Sequence, residues 1–402
     1  MIDRLGVYLD DDTGAPRLVA DTFFTARRGL LASSTVRYDT SYLADPSAFA
    51  IDPALTLSSG PQNVPGLPGA LQDCSPDRWG RNLIVKQRRA IAFADHVVPP
   101  TLTDVDFLVG VSDRTRQGAL RFRTPDGEEF LAPGSEVPKL IELPHLLHAA
   151  DTVGRDDDFG AVKALLDAGS GSLGGARPKA SVRDDERLLI AKFPHPDDEW
   201  DVMAWEKTAL DLASAAGIRV PRARLVQVDR RSVLLVERFD REAQRRVPYV
   251  SAMTLLEARD GDTHDYVEIA EAMADVSAGA SADLNELWRR IAFSVLINNT
   301  DDHLRNHGFL HRRGGWQLSP AFDLNPDPDV RASRQTPIAG VETRAGAIDA
   351  LMAYADAFRV DPPATAEILG RVSDAVSGWR KIAAGNGIRA RELDLFEPAL
   401  TF

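Results

Sequence analysis

The chain has 402 residues, of which 44% are hydrophobic and 27% charged. This ordinary globular composition excludes a largely disordered, collagen-like or coiled-coil protein. The 47 basic residues against 60 acidic ones leave a net charge of −13, which disfavours direct binding to the nucleic-acid backbone. A single cysteine, Cys74, excludes an internal disulfide framework. The N-terminus does not resemble a signal peptide, and no apolar run approaches the roughly 20 residues of a membrane span, so we expect a cytoplasmic protein.

Residues 1–125 are predicted to form a β-rich N-terminal subdomain, because short β-type runs alternate there with Asp, Gly and Pro. These predicted strands cover residues 5–9, 17–20 and 55–57. A helix is predicted over residues 76–92, with Ser75 as its N-cap and Pro76 at its first position.

Residues 126–240 are predicted to form a small mixed lobe. Two β-type runs, 179–183 and 188–193, predict a hairpin, and apolar residues at three- and four-residue steps predict a helix over 202–216. Two more strands are predicted at 223–228 and 232–236.

Residues 241–402 are predicted to form a helical C-terminal lobe. A broad apolar stripe over residues 284–296 predicts a helix with a buried face, which ends at Asn298-Asn299. Two short strands, 308–311 and 316–318, follow a polar loop, and the last 60 or so residues are helical again.

The polar loop after this helix carries candidate catalytic residues. Asn299 to Asn306 spell NTDDHLRN, and Asp301 precedes Asn306 by five positions. Protein kinases use this spacing for a carboxylate that takes the substrate hydroxyl's proton and an amide that binds magnesium. Asp302 competes for the role of base, but only Asp301 has the five-residue offset. Asp323 lies 17 residues beyond Asn306, where a kinase delivers its second magnesium ligand.

Candidate nucleotide-binding residues lie upstream. By alternation, Lys192 shares a strand face with Leu188 and Ile190, and we expect that face to be buried, so the amine needs an anion. Glu206 on the next helix is the candidate partner, as in the ion pair that orders a kinase's nucleotide phosphates.

Residues 171–179 spell GSLGGARPK, in which glycines let backbone N–H groups approach an anion. A flexible linker is the alternative for this Gly/Ser segment. Ser172 stands where a hydroxyl is open to phosphorylation. The strand end 236–241, VERFDR, offers backbone groups to an adenine ring.

In this order, the segments resemble the HipA-like serine/threonine kinase toxins of bacterial type II toxin–antitoxin modules. The resemblance is carried by GSLGGARPK, LLIAKFP, VERFDR, NNTDDHLRNHGF and LSPAFDLNP, and PDRWGRNLI around Trp79 resembles the family's N-terminal region. It implies an α+β, two-lobed, atypical protein-kinase-like fold, with a strand-rich N-terminal subdomain and a helical C-terminal lobe.

The resemblance also implies an ATP- and Mg²⁺-dependent serine/threonine protein kinase. Asp301 would be the catalytic base, Asn306 and Asp323 the magnesium ligands, and Ser172 a site of autophosphorylation that silences the enzyme. The implied nucleotide-binding residues are Gly174, Gly175, Ala176, Arg177, Pro178, Lys179, Lys192, Glu237, Arg238, Phe239, His303, Asn306 and Asp323.

The resemblance further implies partners. A small helix-turn-helix antitoxin would bind the chain and connect it to DNA, which it would reach only indirectly. The substrate would be a translation component, such as an aminoacyl-tRNA synthetase. No membrane partner is expected, and a homodimer stays open.

Two other functions stay open. A small-molecule kinase of the aminoglycoside or choline type shares the Asp-x4-Asn loop, although the usual preceding HxD pattern is absent here. A catalytically silent module that sequesters nucleotide or antitoxin is the third, and the presence of all the catalytic-type residues argues against it.

Overall fold

Strands and helices are mixed along the chain, as the predicted α+β class requires. The computed structural model describes residues 2–134, 136–155, 158–172, 175, 177–243 and 245–401. The strands are β1 (Arg4–Asp10), β2 (Pro16–Arg27), β3 (Leu30–Tyr38), β4 (Gln62–Pro65), β5 (Arg121–Arg123), β6 (Lys179–Asp184), β7 (Arg187–Lys192), β8 (Ala223–Val228), β9 (Arg231–Glu237), β10 (Arg241–Glu242), β11 (Arg245–Arg246), β12 (Tyr249–Ser251), β13 (Gly308–Arg312) and β14 (Gly315–Leu318). The helices are α1 (Thr40–Leu43), α2 (Gly69–Asp73), α3 (Arg78–Ala94), α4 (Asp104–Gly110), α5 (Leu143–Arg155), α6 (Phe159–Asp167), α7 (Val202–Ala215), α8 (Ala252–Leu255), α9 (Tyr266–Val276), α10 (Ala280–Leu296), α11 (Ala347–Ala353), α12 (Pro362–Ser377), α13 (Trp379–Gly385) and α14 (Ala390–Leu400).

The chain divides into two compact units. The first comprises Met1–Pro196 and Asp240–Val250, and the second comprises Asp197–Phe239 and Ser251–Phe402. The three domains expected from the sequence (1–125, 126–240 and 241–402) divide the chain differently, and their boundaries stay a prediction. Within the described ranges, none of the helices combines the length and the apolar character that a bilayer crossing demands.

An antiparallel sheet in the order β4-β3-β2-β1-β5 opens the first unit. Leu5, Val7 and Leu9 of β1 alternate into the core, as the period of a strand requires. The predicted strands at residues 5–9 and 17–20 are confirmed. The predicted strand at 55–57 is wrong, because the Leu55 N–H donates to the Asp52 carbonyl in a turn (2.9 Å).

Helix α3 confirms the helix predicted over residues 76–92 but begins later, and the predicted N-cap is wrong. Asp77 caps the helix, since its carboxylate accepts a hydrogen bond from the Gly80 N–H (3.2 Å). The Ser75 hydroxyl donates instead to the Leu71 carbonyl (3.0 Å). Pro76 therefore lies outside the helix.

The predicted hairpin and the two predicted strands that follow it are confirmed, one pair in each unit. β6 pairs antiparallel with β7 in the first unit, and β8 pairs antiparallel with β9 in the second. Asp229 and Arg230, between β8 and β9, both have positive φ (48° and 61°), as a two-residue type I′ turn requires.

Helix α10 is the core of the second unit. Leu284, Leu287, Trp288 and Ile291 are fully buried, which confirms the predicted apolar stripe. The helix packs against α9, α11 and α12. It ends where predicted because Asn298 adopts the left-handed conformation (φ 52°) just after the C-cap, a helix stop that asparagine tolerates.

Any side chain at Gly80, in the first turn of α3, is predicted to destabilise the fold. A Cβ at this position would lie 2.9 Å from the Gly171 carbonyl oxygen, within a backbone contact that has no room to give. We expect Gly80→Ala to lower the free energy of unfolding by about 1–3 kcal/mol. Gly370→Ala is the matched control: nothing lies within 4 Å of its Cβ position in α12, so it should stabilise by about 0.5–1 kcal/mol. Urea unfolding measures both, and equal effects of the same sign would contradict the prediction.

Candidate active site

The candidate catalytic loop runs from the end of α10 to β13. Asn298 fixes its start: the side-chain amide donates to the carbonyl oxygens of Asp327 (2.7 Å) and Asp329 (3.1 Å). A short 3-10 helix, Leu304–Asn306, forms its end. The loop is therefore held on both sides by hydrogen bonds within the second unit.

Asp301 and Asn306, the predicted base and magnesium ligand, meet in this loop. The Asn306 amide Nδ2 donates to the Asp301 carbonyl oxygen (3.2 Å), so Oδ1 is the amide atom that remains for a ligand. The Asp301 side chain is exposed, and its Oδ1 accepts a hydrogen bond from Gln335 Nε2 (2.5 Å).

The electrostatic surroundings raise the pKa of Asp301. Partial desolvation is the main cause; His303 acts in the opposite direction, while the negative charges of Asp323 and Asp302 add to the rise. A raised pKa suits a group that must accept a proton, since the basicity of a carboxylate grows with its pKa.

Asp302 differs from Asp301 both in its burial and in the direction of its pKa shift. It is buried, and its Oδ2 accepts hydrogen bonds from the hydroxyls of Tyr266 and Ser294 (3.2 Å from Ser294). His307 Nε2 lies 3.1 Å from its Oδ1. Burial alone would raise the pKa of Asp302, but His307 and the Tyr266 hydroxyl outweigh it and lower that pKa to about 2. A buried, fully engaged carboxylate suits an anchor, whereas a base must reach a substrate.

His303 stands between these groups with its ring half-buried. Its carbonyl accepts a hydrogen bond from the Asn306 N–H (2.8 Å), and its Nδ1 has no hydrogen-bond partner among the described residues. The predicted role of His303 near nucleotide phosphates stays a prediction.

The segment before Asp323 is anchored to α10. Arg290 donates to the Ser319 carbonyl oxygen (2.7 Å), and the Ala321 N–H donates to the Arg219 carbonyl oxygen (2.7 Å). Asp323 itself adopts a left-handed conformation (φ 58°) that aspartate tolerates better than most residues. This placement brings its charge close enough to influence the pKa of Asp301.

Asn306 and Asp323 have donor atoms suited to a magnesium ion, and their role as its ligands stays a prediction. Both offer oxygen atoms, which a hard cation prefers, and magnesium bound to a nucleotide takes its other ligands from phosphates and water. Within the described residues, no group of three or more His, Cys, Asp or Glu side chains gathers as a metal site. Two protein ligands of this kind suit a cation that arrives with its nucleotide.

The predicted adenine hinge adjoins the same segment. The Glu237 N–H ends β9 by donating to the Arg222 carbonyl oxygen (2.8 Å), and Arg238 is buried. The Phe239 ring lies 5.4 Å from the Phe322 ring, centroid to centroid, next to Asp323.

Glu206 is buried on α7 with 2% of its surface exposed, and its ion pair with Lys192 stays a prediction.

Two lysines face the same side of the β6–β7 hairpin in the first unit. Lys179 stands directly opposite Lys192, so their side chains share a face. Lys179 is buried with its Nζ 3.5 Å from Asp77 Oδ2. Burial raises the pKa of the Asp77 carboxyl, and Lys179 opposes that rise. The expected contact of these lysines with nucleotide phosphates stays a prediction.

The expectation that Lys192 lies on a buried face is wrong. Leu188, Ile190 and Lys192 are half-exposed, while Leu189 and Ala191, on the other face of β7, are buried. The apolar core takes the opposite side of the strand, so the amine of Lys192 lies on the more open one.

Gly175 of the Gly-rich segment lies close to Lys179. Gly175 has a φ of 99°, a backbone conformation that favours glycine, and a Cβ there would lie 2.6 Å from Lys179 Nζ. The Pro178 carbonyl accepts a hydrogen bond from the Phe193 N–H (3.0 Å), and Arg177 is half-exposed. Gly174, Ala176 and the side chain of Ser172 lie outside the described residues.

Several residues that contact the candidate catalytic loop could not be found from the sequence. Tyr266, His307 and Gln335 contact the two aspartates, yet none stands at a spacing that marks it. Asp77, which lies beside Lys179, could have been found, because it belongs to the PDRWGRNLI segment that carries part of the family resemblance.

Comparison with known proteins identifies the class. The HipA-like C-terminal domain model matches residues 171–379, which include both lysines, the hinge, the loop and Asp323. The HipA structure from the Shewanella oneidensis MR-1 complex of HipA, HipB and operator DNA shares the fold with a TM-score of 0.69, at 16% identity, over 98% of this chain and 95% of that chain. The chain belongs to the HipA-like C-terminal domain family.

Two curated relatives match more locally. The Haemophilus influenzae protein named "Putative kinase" is 25% identical over 34% of this chain and 46% of its own length. The Sinorhizobium fredii protein named "Putative kinase Y4dM" is 26% identical over 42% of this chain and 48% of its own length. The matched part thus spans about half the length of each relative.

Asp302 is predicted to stabilise the fold in a pH-dependent way. Its folded pKa of about 2 lies below its ordinary value of 3.8, so its contribution is complete above pH 4 and is lost as the pH falls toward 2. We expect Asp302→Asn to lower the free energy of unfolding by about 2 kcal/mol at pH 7.

Urea unfolding of Asp302→Asn and the wild type at several pH values between 7 and 2.5 tests this prediction. The difference between the two proteins should shrink through the acid range. Asp374→Asn, at an exposed position of α12, is the matched control and should change little at any pH. A difference that stays constant with pH would contradict the assignment of Asp302 as an ionised anchor.

Proposed function

We propose that this chain is an ATP- and Mg²⁺-dependent serine/threonine protein kinase that acts as the toxin of a toxin–antitoxin module. The observation that carries the proposal is the loop itself: an exposed carboxylate, Asp301, is held in one loop with an amide, Asn306, whose Nδ2 is engaged and whose Oδ1 remains for a cation. Phosphoryl transfer needs this combination of a proton acceptor and a metal ligand.

The proposed roles follow from the chemistry of each side chain. Asp301 accepts the proton of a substrate hydroxyl as that oxygen bonds to the γ-phosphorus of ATP, and ADP leaves. Asn306 and Asp323 hold Mg²⁺. Bound ATP supplies the phosphoryl group, and Mg²⁺ offsets its charge.

The remaining proposed roles concern nucleotide binding. Lys192 and Lys179 bind phosphates, and Glu206 orients Lys192. Residues 174–178 cover the phosphates through their backbone, His303 lies near them, and residues 237–239 bind adenine.

Partners and substrate are part of the proposal. The Shewanella oneidensis structure contains HipB and operator DNA beside HipA, which supports a small helix-turn-helix antitoxin as a partner of this chain. A chain with a net charge of −13 would reach DNA only through such a partner. We propose a translation component, such as an aminoacyl-tRNA synthetase, as substrate, autophosphorylation on Ser172, and a cytoplasmic location.

Asp301→Ala is the decisive variant. We expect it to lower transfer of the γ-phosphoryl group from Mg²⁺-ATP about 100- to 10,000-fold, because a general base contributes a factor of that size. Radiolabelled ATP with protein acceptors and, in parallel, with small alcohols measures the transfer and separates protein kinase from small-molecule kinase. Asp374→Ala, on an exposed face of α12, is the control. Full activity of Asp301→Ala would remove the mechanism.

The paired lysines are predicted to bind the nucleotide. Lys192→Met should weaken ATP binding about 10- to 100-fold, because it removes a charge-assisted contact worth roughly 1.5–3 kcal/mol. Calorimetric titration with Mg²⁺-ATP measures the affinity. Lys163→Met, at an exposed position of α6 in the same unit, is the control. Unchanged affinity in Lys192→Met would exclude this lysine from the nucleotide site.

A further inference from the structure

The segment Arg334–Thr336 is bonded side by side to the candidate catalytic loop. The Gln335 N–H donates to the Thr300 carbonyl oxygen (2.9 Å), and the Thr336 hydroxyl donates to the Asp302 carbonyl oxygen (2.6 Å). A third bond joins Gln335 Nε2 to Asp301 Oδ1 (2.5 Å). Three successive loop residues are thus tied to two successive residues of a segment that lies beyond Asp323.

This segment is itself well anchored. Arg334, Thr336, Pro337 and Ile338 are buried, and the Arg334 N–H donates to the Glu342 carbonyl oxygen (2.9 Å). The Pro337 carbonyl accepts a hydrogen bond from the Tyr266 N–H (3.1 Å). Gln335 is the exposed residue within this buried run, so its backbone is fixed while its side chain reaches the base.

The contact matters because a carboxylate must be oriented to accept a proton. A carboxylate has two oxygens, and a neutral amide donor on Oδ1 limits rotation of the group while leaving Oδ2 for a substrate hydroxyl. A cationic donor would instead neutralise the base. Glutamine therefore supplies orientation without removing the negative charge.

We propose that Gln335 is a positioning residue for Asp301: its side-chain amide holds Oδ1 and presents Oδ2 to the hydroxyl that receives the phosphoryl group. The proposal rests on the proposed kinase function. It makes the segment after Asp323 part of the machinery for phosphoryl transfer, although nothing in its sequence marks it as such.

Two substitutions test the role. Gln335→Ala removes the donor, and Gln335→Glu keeps the size but places a second carboxylate against Asp301. We expect kcat for ADP formation from Mg²⁺-ATP to fall about 10- to 100-fold in Gln335→Ala, and further in Gln335→Glu, because two carboxylates repel. KM for ATP should stay within about twofold, since the proposed role of Gln335 is to hold Asp301 and not the nucleotide. Gln317→Glu, the same change at a half-exposed position of β14, is the control.

A second measurement reports position rather than rate. Amide hydrogen exchange of residues 299–303, in the protein without nucleotide, should quicken in both Gln335 variants and stay unchanged in Gln317→Glu. A melting curve for each variant checks that the fold is intact.

The possible outcomes separate the two proposals. A wild-type protein without ADP formation would remove the kinase function and the role of Gln335 with it. An active wild type with kcat of Gln335→Glu within twofold would overturn the role of Gln335 alone. A rise in KM for ATP at unchanged kcat would overturn it too, as would a fall in kcat with unchanged hydrogen exchange, since Gln335 would then act on a ligand directly.

Discussion

One buried carboxylate holds the candidate catalytic loop in place. Asp302 lies out of solvent, where an ionised group persists only when partners surround it: the hydroxyls of Tyr266 and Ser294 donate to it, and His307 Nε2 lies 3.1 Å away. These residues come from α9, from the last turn of α10 and from the position just before β13. The contacts of Asp302 therefore connect the loop to α10 at its start, to the residue before β13 at its end, and to α9. With Asp302 engaged inward, its neighbour Asp301 is the carboxylate that remains at the surface.

The two adjacent aspartates show how far sequence reasoning reaches here. Spacing alone separates them, because only Asp301 stands five residues before Asn306. The structure supplies a physical difference, since one carboxylate is exposed and the other is buried among hydroxyls. The partner Tyr266 stands 36 positions from Asp302, and a contact over that distance leaves no local pattern in the sequence. Which aspartate is the anchor could not be predicted for this reason.

Helix α10 was the most predictable element, because an apolar stripe of this width specifies a buried helix. The polar residues of the same helix were not predictable. Asp283, Glu286 and Arg290 are buried as well, although in a sequence they indicate a solvated face. Their burial depends on partners elsewhere in the second unit: the Leu318 N–H donates to Asp283 (3.1 Å), and the Arg219 N–H donates to Glu286 (3.0 Å). Through these bonds the helix supports the segment that leads to Asp323, and through Ser294 it also holds Asp302 of the candidate catalytic loop.

The β6–β7 hairpin shows what strand periodicity predicts and what it leaves open. Period-two alternation correctly placed Lys192 with Leu188 and Ile190, but it could not tell which face of the strand the core covers. Lys179 and Lys192 stand opposite each other on one face of the hairpin, and Asp77 Oδ2 lies 3.5 Å from Lys179 Nζ. Coulombic interactions between exposed charges fade over about 10 Å at ordinary ionic strength. A phosphate at this face would therefore respond to the two amines and the charges near them rather than to the net charge of −13.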